Sequence, residues 1–273
     1  MILYKYLSGN LIKVIQNAQI RYTQFAEFND PFEMKPNINK IVTDEEAKFL
    51  VGEKLKEYEE VLSFLEKNDG TNRKAVFNAM ISGIEDLTPT FIPMIKNQME
   101  KTFNEKIGVL CLTESKDSLL MWAHYADRHT GYVIGFDCKD KWFNCRISKN
   151  DDFRDLRKVE YIENRPTLTL HDMESKDIFF CKSKEWAYEK EWRIIKPLDA
   201  ANYIEPRNPY PICLFSFPRE IIKEIILGCI MISNENKSNI LKILRENKEY
   251  KDVMVYQSEL DKESYKLNFK RIK

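Results

Sequence analysis

Glycine and proline are scarce in this chain, 8 and 10 residues out of 273, which excludes collagen-like, low-complexity and linker-dominated architectures. An excess of one charge is also missing. Basic and acidic side chains number 43 each, so no global field draws the chain to nucleic acid or to an anionic membrane. No apolar run approaches the roughly 20 residues that cross a bilayer, and the Met-Ile-Leu-Tyr-Lys-Tyr opening turns polar without a signal-peptide pattern. A cytoplasmic protein with no membrane partner is therefore expected. The six cysteines form no Cys-x-x-Cys pair, and Cys111, Cys213 and Cys229 lie in apolar, strand-like runs, as reduced and buried thiols do. Neither Gly-x-x-x-x-Gly-Lys-Ser/Thr nor Gly-x-Gly-x-x-Gly occurs, which disfavours P-loop hydrolysis and Rossmann dehydrogenation. The absence of Gly-x-Ser-x-Gly weakens serine-hydrolase chemistry.

What is present is enough apolar material for a real core: 43% of residues are hydrophobic and 32% charged, too apolar for wholesale disorder. Strands are expected at Ile2–Tyr6 and Ala18–Thr23, with a helix over Asn10–Gln16 between them and a loop at Phe25–Pro36 fixed by Asn29-Asp30-Pro31. Residues 44–105 change texture. Apolar side chains recur there at helical spacing, with Thr43 or Asp44 as a cap and further helices over Arg73–Ile84 and Phe91–Phe103. No flexible linker brackets this stretch, so the chain reads as a single domain over 1–273 with 44–105 as a helical insertion. Then follow an apolar strand at Ile107–Thr113, a helix at Lys116–Ala126 capped by Ser115 or Asp117, and a strand at Gly131–Asp137. Later strands are expected at Lys158–Ile162, Glu189–Ile195, Ile212–Phe217, Glu224–Leu227, Met254–Gln257 and Tyr265–Phe269, with helices near Leu170–Phe180 and Ser233–Asn247. Strands outnumber regular βα alternation, so the fold class is α+β.

Of three histidines, His124, His129 and His171, the first two lie near Asp127 but lack a His-x-x-x-His or cysteine pair. Structural histidines without a metal are expected. On the helix carrying His124, the residues Leu119, Trp122, Ala123 and Ala126 mark a buried face. His124 and Tyr125 then flank it, as core-edge residues or as walls of a ligand pocket. The segment 186–195 alternates: Trp186, Tyr188, Trp192 and Ile194 on one face, Glu189, Glu191 and Arg193 on the other. Two carboxylates on one face need a cation or a raised pKa, and Arg193 is the nearest partner. Either this is a solvated sheet face or a carboxylate there stabilises positive charge on a sugar carbon. Asp30 with Glu33-Met34-Lys35, and Glu114-Ser115-Lys116, imitate nuclease clusters, but such triplets are common in a chain this rich in Glu and Lys.

Four blocks in order, Leu3-Tyr4-Lys5-Tyr6, Phe28-Asn29-Asp30-Pro31-Phe32, Met121-Trp122-Ala123-His124-Tyr125-Ala126 with His129-Thr130-Gly131, and Glu189-Lys190-Glu191-Trp192-Arg193, resemble a bacterial family catalogued as a domain of unknown function. A more distant resemblance, to ADP-ribosyltransferases, rests on the strand–helix–strand opening, on Tyr125-Ala126 between an apolar strand and a Gly-led strand, and on Glu191 two residues after Glu189. Lys5 stands where many members of that family have His or Arg. This resemblance implies a split mixed or antiparallel sheet and NAD as substrate, bound without a Rossmann fold, with an unidentified acceptor. It implies Glu191 and Glu189 as catalytic carboxylates, Tyr125 beside nicotinamide, and Lys5, Tyr6, Arg21, His124 and Arg193 as cofactor contacts. Asn29 and Asp30 would close over the cofactor. Stress response or antiviral defence is the biology that the abundance of such families in bacteria implies. The competing reading is a non-catalytic ligand-binding or sensing module on the same fold, with a metal-dependent nuclease third.

Overall fold

The computed structural model describes residues 1–149, 151, 153–169, 176–231 and 235–273. His171, and the starts of the helices expected near Leu170 and Ser233, lie outside the described residues. The chain divides into two compact units, one of residues 1–31, 104–163 and 180–273, the other of residues 32–103 and 164–179.

The first unit is built on an eight-stranded sheet: β1 (Ile2–Leu7), β2 (Ile107–Thr113), β3 (Tyr132–Asp137), β4 (Arg157–Lys158), β5 (Glu191–Pro197), β6 (Ile222–Leu227), β7 (Met254–Leu260) and β8 (Leu267–Arg271). Their spatial order is β8-β7-β6-β3-β1-β2-β5-β4. Every neighbouring pair is antiparallel except β6 with β7. The molecule is thus mixed α and β with a mostly antiparallel sheet, and none of the eight strands comes from residues 44–105. A second sheet of three strands, Gln19–Tyr22, Ile212–Ser216 and Tyr203–Glu205, carries Arg21.

The central strand β3 is buried at five of its six positions, because both faces are covered and an apolar run is then favoured over alternation. One core contains Leu3, Leu110, Ile134, Phe136, Ile194 and Ile225 with helix α6; another contains Tyr4, Tyr6, Val133 and Ile226 with Met121 and Trp122 of α5. Here α1 is Lys13–Asn17, α2 Asp44–Glu57, α3 Glu59–Asp69, α4 Arg73–Lys106, α5 Leu119–Tyr125 and α6 Glu235–Glu246. Burying one such core side chain contributes about 1.5–3 kcal/mol.

Helix α5 is shorter than expected. Its cap is Ser118, whose hydroxyl accepts from the Met121 amide, so neither Ser115 nor Asp117 serves. Ala123, expected on the buried face, is exposed. After α5 the residues Asp127, Arg128 and His129 take φ of 48°, 53° and 68°, three left-handed positions in succession, each unfavourable for a residue with a Cβ. The Gly131 amide closes this turn on the Ala126 carbonyl. A Cβ at Gly131 would lie 2.1 Å from the Leu7 carbonyl oxygen, so only glycine lets β3 start against β1.

In the second unit, α2 begins with a full capping box between Thr43 and Glu46. The two helices expected over Arg73–Ile84 and Phe91–Phe103 are one, α4, which runs through Pro89 and Pro93. Each proline removes one ladder hydrogen bond, and the flanking turns hold the helix together. A parallel pair, Asn37–Lys40 with Thr167–Thr169, completes this unit.

Candidate functional site

The alternation expected from Trp186 through Ile194 breaks in the middle. Residues Lys184–Glu189 form a 3-10 helix, Lys190 is left-handed with φ 46°, and the strand starts only at Glu191. The two carboxylates still converge, through the turn at Lys190. The Thr113 hydroxyl donates to the Glu189 carbonyl, and the Glu114 amide donates to that of Lys190. These bonds pin the turn to the end of β2.

Between the carboxylates lies Lys182, from the short strand Cys181–Ser183 that pairs in parallel with Glu160–Ile162. Its ammonium is 2.7 Å from Glu189 Oε2 and 3.4 Å from Glu191 Oε2. Arg193 closes on Glu191 with a two-point fork, Nε at 2.8 Å and a terminal nitrogen at 2.9 Å. The Tyr125 hydroxyl donates to Glu189 Oε1 at 2.7 Å. All four charged side chains are buried, with 6% of Lys182, 4% of Glu189, 6% of Glu191 and none of Arg193 exposed. Charges this deep survive only when paired and hydrogen-bonded.

The surroundings extend the network. The Tyr161 hydroxyl accepts from the Glu191 amide at 2.8 Å, and Glu191 acts electrostatically on the Cys111 thiol. Lys5 on β1 donates to the Cys111 carbonyl at 3.1 Å. Asn29 acts on the Tyr125 phenol, and buried Asp30 acts electrostatically on Arg193. The Lys182 ammonium also lies 4.7 Å from the Trp186 ring centroid.

Burial and charge act against each other in this cluster. Burial pushes the Glu191 carboxyl up while Lys182 pulls it down. Burial opposes the charge on Lys182, yet Glu191 and Glu189 hold it above the ordinary lysine range. Burial brings the Arg193 guanidinium down to about 9, against the pull of Asp30. The Tyr125 phenol is raised, by burial first and then by Glu189, and the Cys111 thiol likewise by burial and then Glu191. The site is an anionic pair held in a dry pocket by two fixed cations.

The other expected contacts fall around this centre or away from it. Tyr6 donates to the Ser115 carbonyl at 3.0 Å and packs edge-on to Trp122. His124 is exposed, its ring 6.2 Å from that of Tyr125. Arg21 pairs with Glu27 at 2.8 Å and Gln24 at 3.1 Å. Trp192 is half-buried, its indole donating to Glu114. Lys182 and Tyr161 were not anticipated: Tyr161 falls in the strand expected at Lys158–Ile162 without a site signal, and no element was expected at Cys181–Ser183, which forms a strand. Among the described residues no group of three His, Cys, Asp or Glu side chains is arranged to hold a metal ion; the Lys182 ammonium occupies the space between the two carboxylates. Among the described residues, too, no helix is long and apolar enough to cross a membrane.

Fold and site together define a mixed α/β protein whose mostly antiparallel sheet carries a buried Lys-Glu-Glu-Arg cluster at one strand end. Residues 121–194 match the model of a family described as a protein of unknown function (DUF2971). That stretch begins on α5 and ends on β5, so it contains Tyr125, Lys182, Glu189, Glu191 and Arg193. No curated protein and no solved structure matches the chain.

Proposed function

We propose that this protein cleaves the bond between nicotinamide and ribose in NAD and passes the ADP-ribose to an acceptor or to water. In this reading the Glu189–Glu191 pair faces the positive charge that develops on the sugar carbon as nicotinamide leaves, an electrostatic role suited to preorganised carboxylates. Tyr125 supplies the aromatic surface for nicotinamide. Lys5 neutralises the pyrophosphate, and Asn29 and Asp30 close from the Phe28–Pro31 segment. The observation that carries the reading is the convergence of segments far apart in sequence: Lys5 on the Cys111 carbonyl, Cys111 paired across the sheet with Arg193, Tyr125 on Glu189, and Lys182 between Glu189 and Glu191.

A second reading, a non-catalytic module that senses a nucleotide, is favoured by a different observation. Every oxygen of the two carboxylates already accepts a hydrogen bond, from Tyr125, Lys182 or Arg193, so no lone carboxylate awaits substrate. Incubation of purified protein with NAD separates the two. Nicotinamide release that falls by roughly two to three orders of magnitude in Glu191→Gln, at a temperature where melting shows the variant folded, supports the enzyme. NAD binding by calorimetry without release supports the sensor, and neither binding nor release removes NAD from consideration.

A further inference from the structure

Away from the Lys-Glu-Glu-Arg cluster, three aromatic rings and one carboxylate surround a single cation. Tyr4 of β1, Tyr256 of β7 and Phe269 of β8 place their ring centroids 5.7, 5.8 and 5.6 Å from the Lys116 ammonium. Glu224 of β6 closes the arrangement, its two oxygens 3.4 and 3.5 Å from the same nitrogen. The Tyr4 hydroxyl fixes Glu224 by donating to Oε1 at 2.6 Å. The floor is Gly135 of β3, which pairs with Tyr4 on one side and Glu224 on the other. A Cβ there would lie 2.7 Å from Glu224 Cγ and 3.1 Å from Tyr4 Cε1. Four strands and a glycine therefore shape this cage before any occupant enters it.

Lys116 fits the cage loosely. A tight ammonium–carboxylate contact is about 2.7–2.9 Å, and cation–π attraction reaches out to about 6 Å from a ring centroid; here the carboxylate contacts are long and all three rings are near that outer limit. The side chain remains 36% exposed, while its backbone is held by the Trp122 indole, which donates to the Lys116 carbonyl at 3.0 Å. The side chain can swing out without moving the chain. A nitrogen ringed by methyl groups has no N–H to shorten the carboxylate contact, and its methyls fill the gap to the rings.

We infer that Tyr4, Tyr256, Phe269 and Glu224 form a binding site for a trimethylammonium group, with Lys116 as a displaceable resident cation. Cages of this chemistry recognise quaternary ammonium groups, which are weakly hydrated and gain from several ring faces at once. The tethered lysine competes at high effective concentration, so the parent protein binds weakly and removal of the lysine reveals the site.

The test is ligand-observed NMR with tetramethylammonium chloride at ionic strength matched with sodium chloride. Lys116→Ser binds about tenfold or more tightly than the parent, and adding Tyr256→Ala or Phe269→Ala, both half-buried positions, weakens that binding about tenfold. Circular dichroism checks that each variant is folded. Equal binding by parent and Lys116→Ser, or binding indifferent to both ring substitutions, overturns the site. Choline and a trimethyllysine peptide then identify whether the group comes free or on a chain, and failure of both to compete with tetramethylammonium overturns it as well.

Discussion

Lys182 and Lys116 each meet a buried carboxylate, and the two encounters differ in exposure, in distance and in the number of anions. Lys182 is 6% exposed and 2.7 Å from Glu189, with a second carboxylate beyond it; Lys116 is 36% exposed and 3.4 Å from Glu224. The first ammonium completes a buried set of charges, so removing it takes away the cation that Glu189 pairs with and leaves Glu191 to Arg193. The second leans on three rings and a single anion that already has a Tyr4 hydrogen bond. One lysine is part of the fold's electrostatics and the other is a guest of it.

That contrast is broken or upheld most sharply by Lys182→Met. Leaving Glu189 and Glu191 buried with Arg193 as their remaining cation costs about 3–5 kcal/mol, read as the shift of a urea unfolding midpoint at neutral pH. Adding Glu189→Gln removes one stranded charge and recovers part of the loss. A cost below about 1 kcal/mol would mean that Lys182 leaves the cluster in solution.

Lys182 also marks the limit of what could be read from the amino-acid order. The sheet strands were legible because apolar runs such as Ile107–Thr113 and Tyr132–Asp137 leave few alternatives, and Glu189, Glu191 and Arg193 were legible as a chemically unusual set on one strand. Their cation was not, since Cys181-Lys182-Ser183 forms a strand only by pairing with Glu160–Ile162, a contact across some twenty residues that no local pattern encodes. The alternation from Trp186 to Trp192 misled for a related reason: a left-handed Lys190 restores the convergence of Glu189 and Glu191 that a continuous strand would also have given. In α4 the error ran the other way, because Pro89 and Pro93 break local hydrogen bonds without ending a helix of 34 residues.

The next effect is smaller. Lys116→Met keeps the stem against Tyr4, Tyr256 and Phe269 and removes a charge that is a third exposed, so the stability change stays within about 1 kcal/mol. The same urea measurement made on both lysine variants is the direct comparison. If Lys116→Met costs as much as Lys182→Met, the ammonium in the aromatic cage is structural and the distinction between the two sites fails.

The smallest effect concerns the anchor behind Lys116. Trp122, which holds the Lys116 carbonyl, stacks on His129 with centroids 6.1 Å apart and planes 10° from parallel. Burial holds the His129 imidazole below its ordinary value of 6.5, and its Nδ1 is buried without a hydrogen-bond partner among the described residues. A base with a depressed folded pKa binds fewer protons in the folded chain than in the unfolded one, so stability rises with pH between the two values. His129 therefore contributes its full share above pH 6.5 and loses it as pH falls from there toward the folded value. His129→Asn tests this, because asparagine accepts the left-handed backbone at φ 68° and carries no proton to titrate. The difference in unfolding free energy between parent and variant should shift against the parent as pH drops below 6.5 and stay constant above it. A difference that is flat across that window would mean that the imidazole is as free to protonate in the folded protein as in the unfolded chain, and that the Trp122 stack leaves it open to water.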